Sequence, residues 1–370
     1  MKPAHPNINR ILVIRFSSFG DLVLISPLFR ALKIAFPKAQ VDFVVAEEFK
    51  ALHQFNPFIH NHYGFDRRKS FFSLFFLAWR LKKRQYQILL DAHGSLRSRI
   101  LTFLLQSFGF FSSYKKKRNF FQTSLVSVVD KKSILRRKMI QTKILPDHWE
   151  SQRQKFLSLL QSLPKEVFDP AFFFKTLAEE TEIFFPENFL EKKIPLAPKK
   201  TEMGVRIAIA PGAAYPLKEW AKENFLELIK ILSPNHSIFL LGGKKEEKMM
   251  QTWEAQMQNF AVQNWVGRLN FLENAALLKI CQILITNDSG LLHLAEAVKT
   301  PVISLFGPTV PAFGFAPFLK KSQWVEVVLP CRPCSLHGQG PCTNPIKQEC
   351  MKKISVKSVL EKIKNLGIPV

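Results

Sequence analysis

Along the chain, short unbroken apolar runs alternate with longer stretches whose apolar positions recur every three or four residues. "RILVIRF" (10–16) is apolar over strand length and rich in Ile and Val, as in a strand buried on both faces. After "SSFGD" (17–21), Leu22, Ile25, Leu28, Phe29, Leu32 and Phe36 recur at helical spacing, and "VDFVVA" (41–46) reads as a second strand. "QILLDAHG" (87–94) ends a further strand in polar residues, and "SLRSRILTFLLQSF" reads as a helix. Between 180 and 204 the periodicity breaks: "FPENFLEKKIPLAPKKTEMG" holds three prolines and many charges and reads as a linker. The alternation then restarts. "VRIAIAPGA" (205–213), "HSIFLLGG" (236–243), "ILITND" (283–288) and "PVISLFGPT" (301–309) are predicted strands. "KEWAKENFLELIKIL", "EEKMMQTWEAQM", "LENAALLKICQ", "SGLLHLAEAV" and "SVKSVLEKIKNL" (355–366) are predicted helices.

This alternation implies an α/β protein of two Rossmann-like halves, each a doubly wound parallel sheet, with a cleft between the carboxyl ends of the sheets. The expected divisions are an N-terminal domain over 1–185, a linker over 186–204 and a C-terminal domain over 205–370. The final helix is a candidate to pack back on the first domain.

Composition adds one unusual feature, charge. The 370 residues carry 53 Lys and Arg against 29 Asp and Glu, a formal charge of +24, which attracts polyanions. No RNA-binding signature, zinc-finger spacing or recognition-helix pattern accompanies that charge, so nucleic acid is not an expected partner. No apolar stretch has transmembrane length, and "MKPAHPNINR" lacks the apolar core of a signal peptide, so a cytoplasmic location is expected. Five cysteines, an odd number, fit a reducing compartment. The chain also has 35 Phe but 4 Tyr. "SFFSLFFLAWRLKKR" and "FGFFSSYKKKRNFF" crowd Phe beside cations. They read either as a core helix with a solvated basic loop, or as a surface that sets aromatics in an acyl boundary and cations on anionic head groups.

Four strand-end loops carry candidate chemistry. In "ITNDSGLLHLAEA" (285–297), a strand ends at Asp288 and a helix begins at Ser289 and Gly290, so free backbone N–H groups at 289–292 offer an anion site. Gly290 admits an anion close to the backbone, and His293 lies one turn on. Asp288 would repel phosphate at contact distance and fits better as an organiser of the loop or an acceptor from a ligand hydroxyl. In "APGAAYPLKEW" (210–220), Lys218 lies near the start of the following helix, where it could meet a diphosphate. In "LLGGKKEE" (240–247), Glu246 or Glu247 could accept from ribose hydroxyls. In "SSFGD", Gly20 permits a tight turn, and a helix dipole would help keep Asp21 ionised and able to take a proton. An ordinary helix cap or a solvated lysine would explain each loop taken alone. Cys331, Cys334, Cys342 and Cys350, in "CRPCSLHGQGPCTNPIKQEC", could be reduced thiols, a structural metal site or disulfides, while Cys281 fits a core position.

Taken together, these segments resemble the heptosyltransferases of lipopolysaccharide assembly. "ILVIRFSSFGDLVLISPLFRALKIAFP", "DAHGSLRSR", "APGAAYPLKEW" and "LITNDSGLLHLAEAVKTPVISLFGPT" all match that family's patterns. The resemblance implies a GT-B fold, two Rossmann-like domains facing a central cleft, with an ADP-heptose donor, no cofactor and no metal. It also implies a lipopolysaccharide inner-core or lipid A acceptor, met at the anionic inner face of the cytoplasmic membrane by a peripheral protein. By position, Asp21 would be the general base of an inverting transfer. Lys218, Glu246, Leu269, Asp288, Ser289, Gly290 and His293 would bind donor, with Leu269 near the adenine. Ser18, Gly20, His93, Arg97 and Arg99 would meet acceptor, and Lys115, Lys116, Lys117 and Arg118 would add to that basic half. One departure is Ala213 and Ala214, where some relatives carry hydroxyl residues, so phosphate contacts there would come from backbone N–H groups. Three rivals remain: the same fold with another donor or acceptor, a non-catalytic nucleotide-sugar or lipid-binding protein and, weakest, a nucleic-acid binder.

Overall fold

The N-terminal apolar run forms β1 (Arg10–Ile14), buried at every position after the first. It is joined by β2 (Gln40–Ala46), β3 (Asn61–Phe65), β4 (Ile88–Asp91) and β5 (Leu125–Val128) in an all-parallel sheet of order β3-β2-β1-β4-β5. Burial on both faces explains why the central strands lack polar alternation. The computed structural model describes residues 8–68, 72–112, 125–168, 179–189, 204–258 and 260–370. Most of the expected linker, and Lys115, Lys116, Lys117 and Arg118, therefore lie outside the described residues.

The single helix expected after β1 is two: α1 (Phe19–Leu24) and α2 (Ser26–Ala35). Pro27 lacks the N–H that a continuous helix needs and suits a first helical turn, so the chain restarts at Ile25. Helices α3 (Phe72–Lys82) and α4 (Leu96–Ser112) pack side by side.

The second sheet is built from β6 (Arg206–Ala210), β7 (Ser237–Leu240), β8 (Val262–Asn264), β9 (Ile283–Asn287), β10 (Val302–Phe306) and β11 (Gln323–Glu326). It is also all-parallel, in the order β11-β10-β9-β6-β7-β8. Strand order reverses once in each sheet, between β1 and β4 and between β6 and β9. Loops leaving those carboxyl ends diverge to opposite faces and open a crevice, the usual ligand position in such folds.

Contacts divide the chain into two units: Met1–Lys131 with Gln152–Phe184, and Lys132–Ser151 with Phe185–Val370. The segment Lys132–Ser151, inside the span read as the first domain, thus belongs to the second unit. Its helix α5 (Ser133–Thr142) buries Met139 against Val310 and Phe313. Arg136 Nη2 donates to the Phe313 carbonyl at 2.9 Å, and Lys143 Nζ to the Pro333 carbonyl at 2.9 Å. The C-terminal helix (Val356–Lys364) buries Val356, Val359 and Ile363 in the second unit's own core. Among the described residues, no helix is long and apolar enough to cross a membrane.

Candidate functional site

In the first unit, the crevice beside β1 is organised by Asp21. Ser18 caps α1, and its N–H and hydroxyl donate to Asp21 Oδ2 at 3.3 and 2.8 Å. Arg15 Nη2 lies 2.7 Å from the same oxygen. Burial pushes the Asp21 carboxyl upward, but Arg15 and the two Ser18 bonds outweigh it and hold it below the usual carboxylate range. Arg15 itself is fixed by donation to the Ala92 carbonyl and by the Phe156 ring, 4.8 Å from its guanidinium carbon.

His93 packs against Phe16 with ring centroids 5.3 Å apart and planes tilted by 60°, and it hydrogen-bonds the Ser17 backbone. Burial, then Arg15 and Lys131, push its pKa down to about 4, so the ring is neutral at neutral pH. Lys131 faces Asp91 and Asp21 with Arg15 and Arg99 nearby; burial foremost lowers its pKa. Asp91 accepts from the His93 and Gly94 N–H groups at 2.9 and 2.8 Å and from the Ser98 hydroxyl at 2.9 Å, shaping the loop that presents His93. Of the other expected acceptor residues, Arg97 donates to the Arg67 carbonyl at 3.2 Å, and Arg99 is exposed.

In the second unit the crevice lies between the loops after β6 and β9. Lys218 Nζ sits 2.6 Å from Asp288 Oδ2, with both side chains about nine-tenths buried. Thr309 Oγ1 donates to the same oxygen at 2.7 Å. Burial raises the Asp288 pKa, but Lys218, Thr309 and His293 together bring it below the usual value. Asp288 is followed by Ser289, the N-cap of α10 (Gly290–Ala297), whose Oγ lies 3.1 Å from Thr286 Oγ1. The ammonium therefore stands beside a helix N-terminus whose first N–H groups have no intrahelical partners. His293 is buried, with its ring 6.0 Å from that of Phe315.

Lys218 does not start a helix, as the spacing suggested. It ends a 3-10 turn (Pro216–Lys218), and the helix α7 begins four residues later (Lys222–Leu232). Asn287 pins this loop at both ends, donating to the Pro211 carbonyl at 2.6 Å and accepting from the Trp220 N–H at 3.1 Å. The cysteine-bearing segment closes over it: Gln339 Nε2 donates to Tyr215 Oη at 2.7 Å, and Gln348 Nε2 to the Pro216 carbonyl at 2.9 Å. Arg332, buried and paired with Glu326 at 2.8 Å, also donates to the Thr309 carbonyl at 3.0 Å, steadying Asp288's partner.

Glu246 accepts from the Gly243 N–H at 2.8 Å and lies so close to Gly212 that a Cβ there would meet its Cγ at 2.6 Å. Glu219 takes the Ala213 N–H, so that amide, which the missing hydroxyls had made a phosphate candidate, is already bonded. Leu269 is half-buried in the loop after β8. Cys331, Cys334, Cys342 and Cys350 line one small pocket as unpaired thiols; among the described residues, no group of three His, Cys, Asp or Glu is placed to hold a metal ion. Cys281 is buried just past the helix α9 (Phe271–Lys279), donating to the Leu277 carbonyl at 3.2 Å. Arg15, Lys131, Asn287, Thr309 and Arg332 escaped the sequence reading. Only Asn287, in a polar run at a strand end, left a local signal.

Residues 173–339 match the sequence model of "Glycosyltransferase family 9 (heptosyltransferase)". Lipooligosaccharide heptosyltransferase 2 of Campylobacter jejuni is 28% identical over 208 residues. Over residues 173–339, fewer than half of its 370, this chain is similar to glycosyltransferase family 9. The stretch shared with the Campylobacter jejuni protein covers 51% of this chain and 62% of that one, less than two thirds of the relative's length. Two solved structures extend the likeness in fold beyond that stretch. A glycosyl transferase family 9 from Veillonella parvula superposes with TM-score 0.72 at 18% identity, covering 97% of each chain. The E. coli ADP-heptose lps heptosyltransferase II gives 0.68 at 19%, covering 96% of this chain and 98% of that one. Two parallel-sheet α/β domains of GT-B type are thus the fold of this chain.

Proposed function

We propose that this chain is an inverting glycosyltransferase that moves heptose from ADP-heptose to the inner core of lipopolysaccharide, without cofactor or metal ion. The observation that carries the reading is the Lys218–Asp288 pair at the N-terminus of α10. Cleaving the bond between anomeric carbon and phosphate releases a nucleoside diphosphate. Lys218 has three N–H donors, of which Asp288 takes one, so the rest can meet that diphosphate while the amides of Gly290 and Leu291 take a second oxygen. Such donors are already oriented before reaction, which is what stabilises developing charge at low cost. Leu269 and Glu246 serve adenine and ribose in this reading.

Asp21 is the base. Arg15 and Ser18 keep it ionised at neutral pH but weaken it as a base. Proton transfer therefore comes late, as the acceptor hydroxyl bonds to the sugar and turns acidic. Its backside attack inverts the anomeric centre in one step. Ser18, Gly20, His93, Arg97 and Arg99 belong to the acceptor side, and neutral His93 can accept or donate without adding charge. The acceptor resides on an anionic membrane, which fits a peripheral protein of net charge +24 working at the cytoplasmic face.

The test is a thermal-shift panel of ADP, UDP, GDP and NAD, followed by transfer assays. ADP alone should stabilise the protein, EDTA should leave transfer unchanged, and Asp21→Asn should lower turnover by roughly 10²–10⁴-fold with the ADP shift intact. A protein that no nucleotide stabilises overturns the reading.

A further inference from the structure

Helix α3 is apolar on two sides, and among the described residues one side is packed on the core while the other is exposed. Leu74, Leu77, Ala78 and Leu81 face the core of the first unit. Phe72, Phe75, Phe76 and Trp79, spaced i, i+3, i+4, i+7, form a second stripe exposed by 81, 46, 69 and 55%. The adjoining helix α4 adds Leu96 and Phe103, exposed by 70 and 65%. So many large apolar side chains standing in water across two neighbouring helices mark an interaction surface.

Its charge names the partner. Residues 72–112 contain six Lys and Arg and one acidic residue, Asp91, which is fully buried. Arg80, Lys83 and Arg99 are exposed, and Lys83 Nζ stands 4.2 Å from the centroid of the Trp79 ring, at the end of the stripe. Apolar chains on one face with flanking cations suit an interface where acyl chains begin below a layer of phosphate. A second copy of this chain would bring cation against cation. A polynucleotide could stack on the rings, but would gain little from Leu96, whereas an acyl chain gains from every apolar side chain it covers.

We infer that the exposed stripe of α3, with Leu96 and Phe103 of α4, is the surface by which this protein docks on an anionic lipid bilayer. The inference rests on the proposed peripheral location and supplies the residues for it. Docking sets the rings at the depth of the glycerol backbone and lets Arg80, Lys83 and Arg99 reach lipid phosphates.

The experiment is vesicle co-sedimentation of the full chain, using phosphatidylcholine alone and phosphatidylcholine mixed with phosphatidylglycerol. The protein should pellet with the mixed vesicles only, less so as salt rises, and Phe76→Ser/Trp79→Ser should weaken partitioning roughly tenfold or more. Arg80→Glu/Lys83→Glu should weaken it comparably with the rings in place. Brominated lipid should quench a component of the fluorescence that Trp79→Phe removes. Circular dichroism melting and the ADP shift report the fold and donor site of each variant. Unchanged pelleting of both double variants overturns the inference, as does an aromatic-dependent self-association or RNA binding that vesicles do not displace. An ADP shift without vesicle binding overturns the docking surface and leaves the donor reading standing. Vesicle binding that needs the stripe, without any nucleotide shift, sustains the surface and overturns the donor reading.

Discussion

At the scale of single residues, the candidate donor site is an ion pair that neither partner tolerates losing alone. Lys218→Met leaves Asp288 buried without its ion-pair partner, with Thr309 and His293 remaining beside it, so urea denaturation should show a loss of about 3–5 kcal/mol. Adding Asp288→Asn should restore most of the stability and none of the ADP affinity, because the neutral pair packs but no cation faces the diphosphate. A second residue-scale consequence concerns pH. His53 is buried between Phe29 and Phe43, its Nε2 is 2.6 Å from the Leu22 carbonyl, and burial above all pushes its pKa down to about 4. The unfolded chain takes up that proton near the ordinary value of 6.5, before the folded chain does. Stability from His53 is therefore complete above pH 6.5 and falls as the pH drops toward about 4. The Asp21 contribution, with a depressed pKa, is lost only further down. His53→Gln should remove close to one proton from the pH slope of unfolding in that window, about 1.4 kcal/mol per pH unit. Partners such as Lys218 and Asp288, 70 positions apart, cannot be seen in the sequence. It displays each group's type and its place at a strand end, while their pairing depends on the two loops leaving neighbouring strands.

At the scale of elements, glycine geometry ties the cysteine-bearing segment to the lysine loop. Gly338 has φ +81°, and a Cβ on it would lie 2.8 Å from Lys218 Cγ. Gly340 has φ +85° but nothing within 4 Å of such an atom. Valine at either position carries the same backbone strain, but only Gly338→Val displaces the ammonium. Calorimetric titration should therefore show ADP affinity falling roughly tenfold in Gly338→Val, with a melting temperature below that of Gly340→Val because Asp288 loses its ion-pair partner. Most strands were legible because burial on both faces writes a continuous apolar run: "RILVIRF" yields β1 and "ILITND" yields β9. Short or half-polar strands such as β3, "NHYGF", and β8, "VQN", were not, since pairing with an established neighbour replaces intrinsic preference. The turn that holds Lys218 is indistinguishable in sequence from the helix that follows, because its composition matches that helix.

At the scale of the molecule, the division into units departs from a simple halving of the chain. Lys132–Ser151 sits among first-unit residues in sequence and with the second unit in space. Nothing local marks this, since its apolar residues are few and meet Val310, Phe313 and Leu336 far along the chain. Met139 is 2% exposed there. Met139→Ala should cost about 2–4 kcal/mol and lower the transition that ADP is proposed to stabilise, even though the residue precedes the second sheet by more than sixty positions. A variant that instead lowers only an ADP-insensitive transition would show that the segment supports the other sheet.

That interleaving governs the order in which the protein can be finished during synthesis. The ribosome releases Lys132–Ser151 well before Phe313 and Pro333, which take the hydrogen bonds of Arg136 and Lys143 from 177 and 190 positions away. The first sheet is complete once Val128 has emerged, whereas the second unit has to wait for its own far end. The early segment is therefore a strand of chain held in reserve, and closing it into place is a late event on the way to the mature protein.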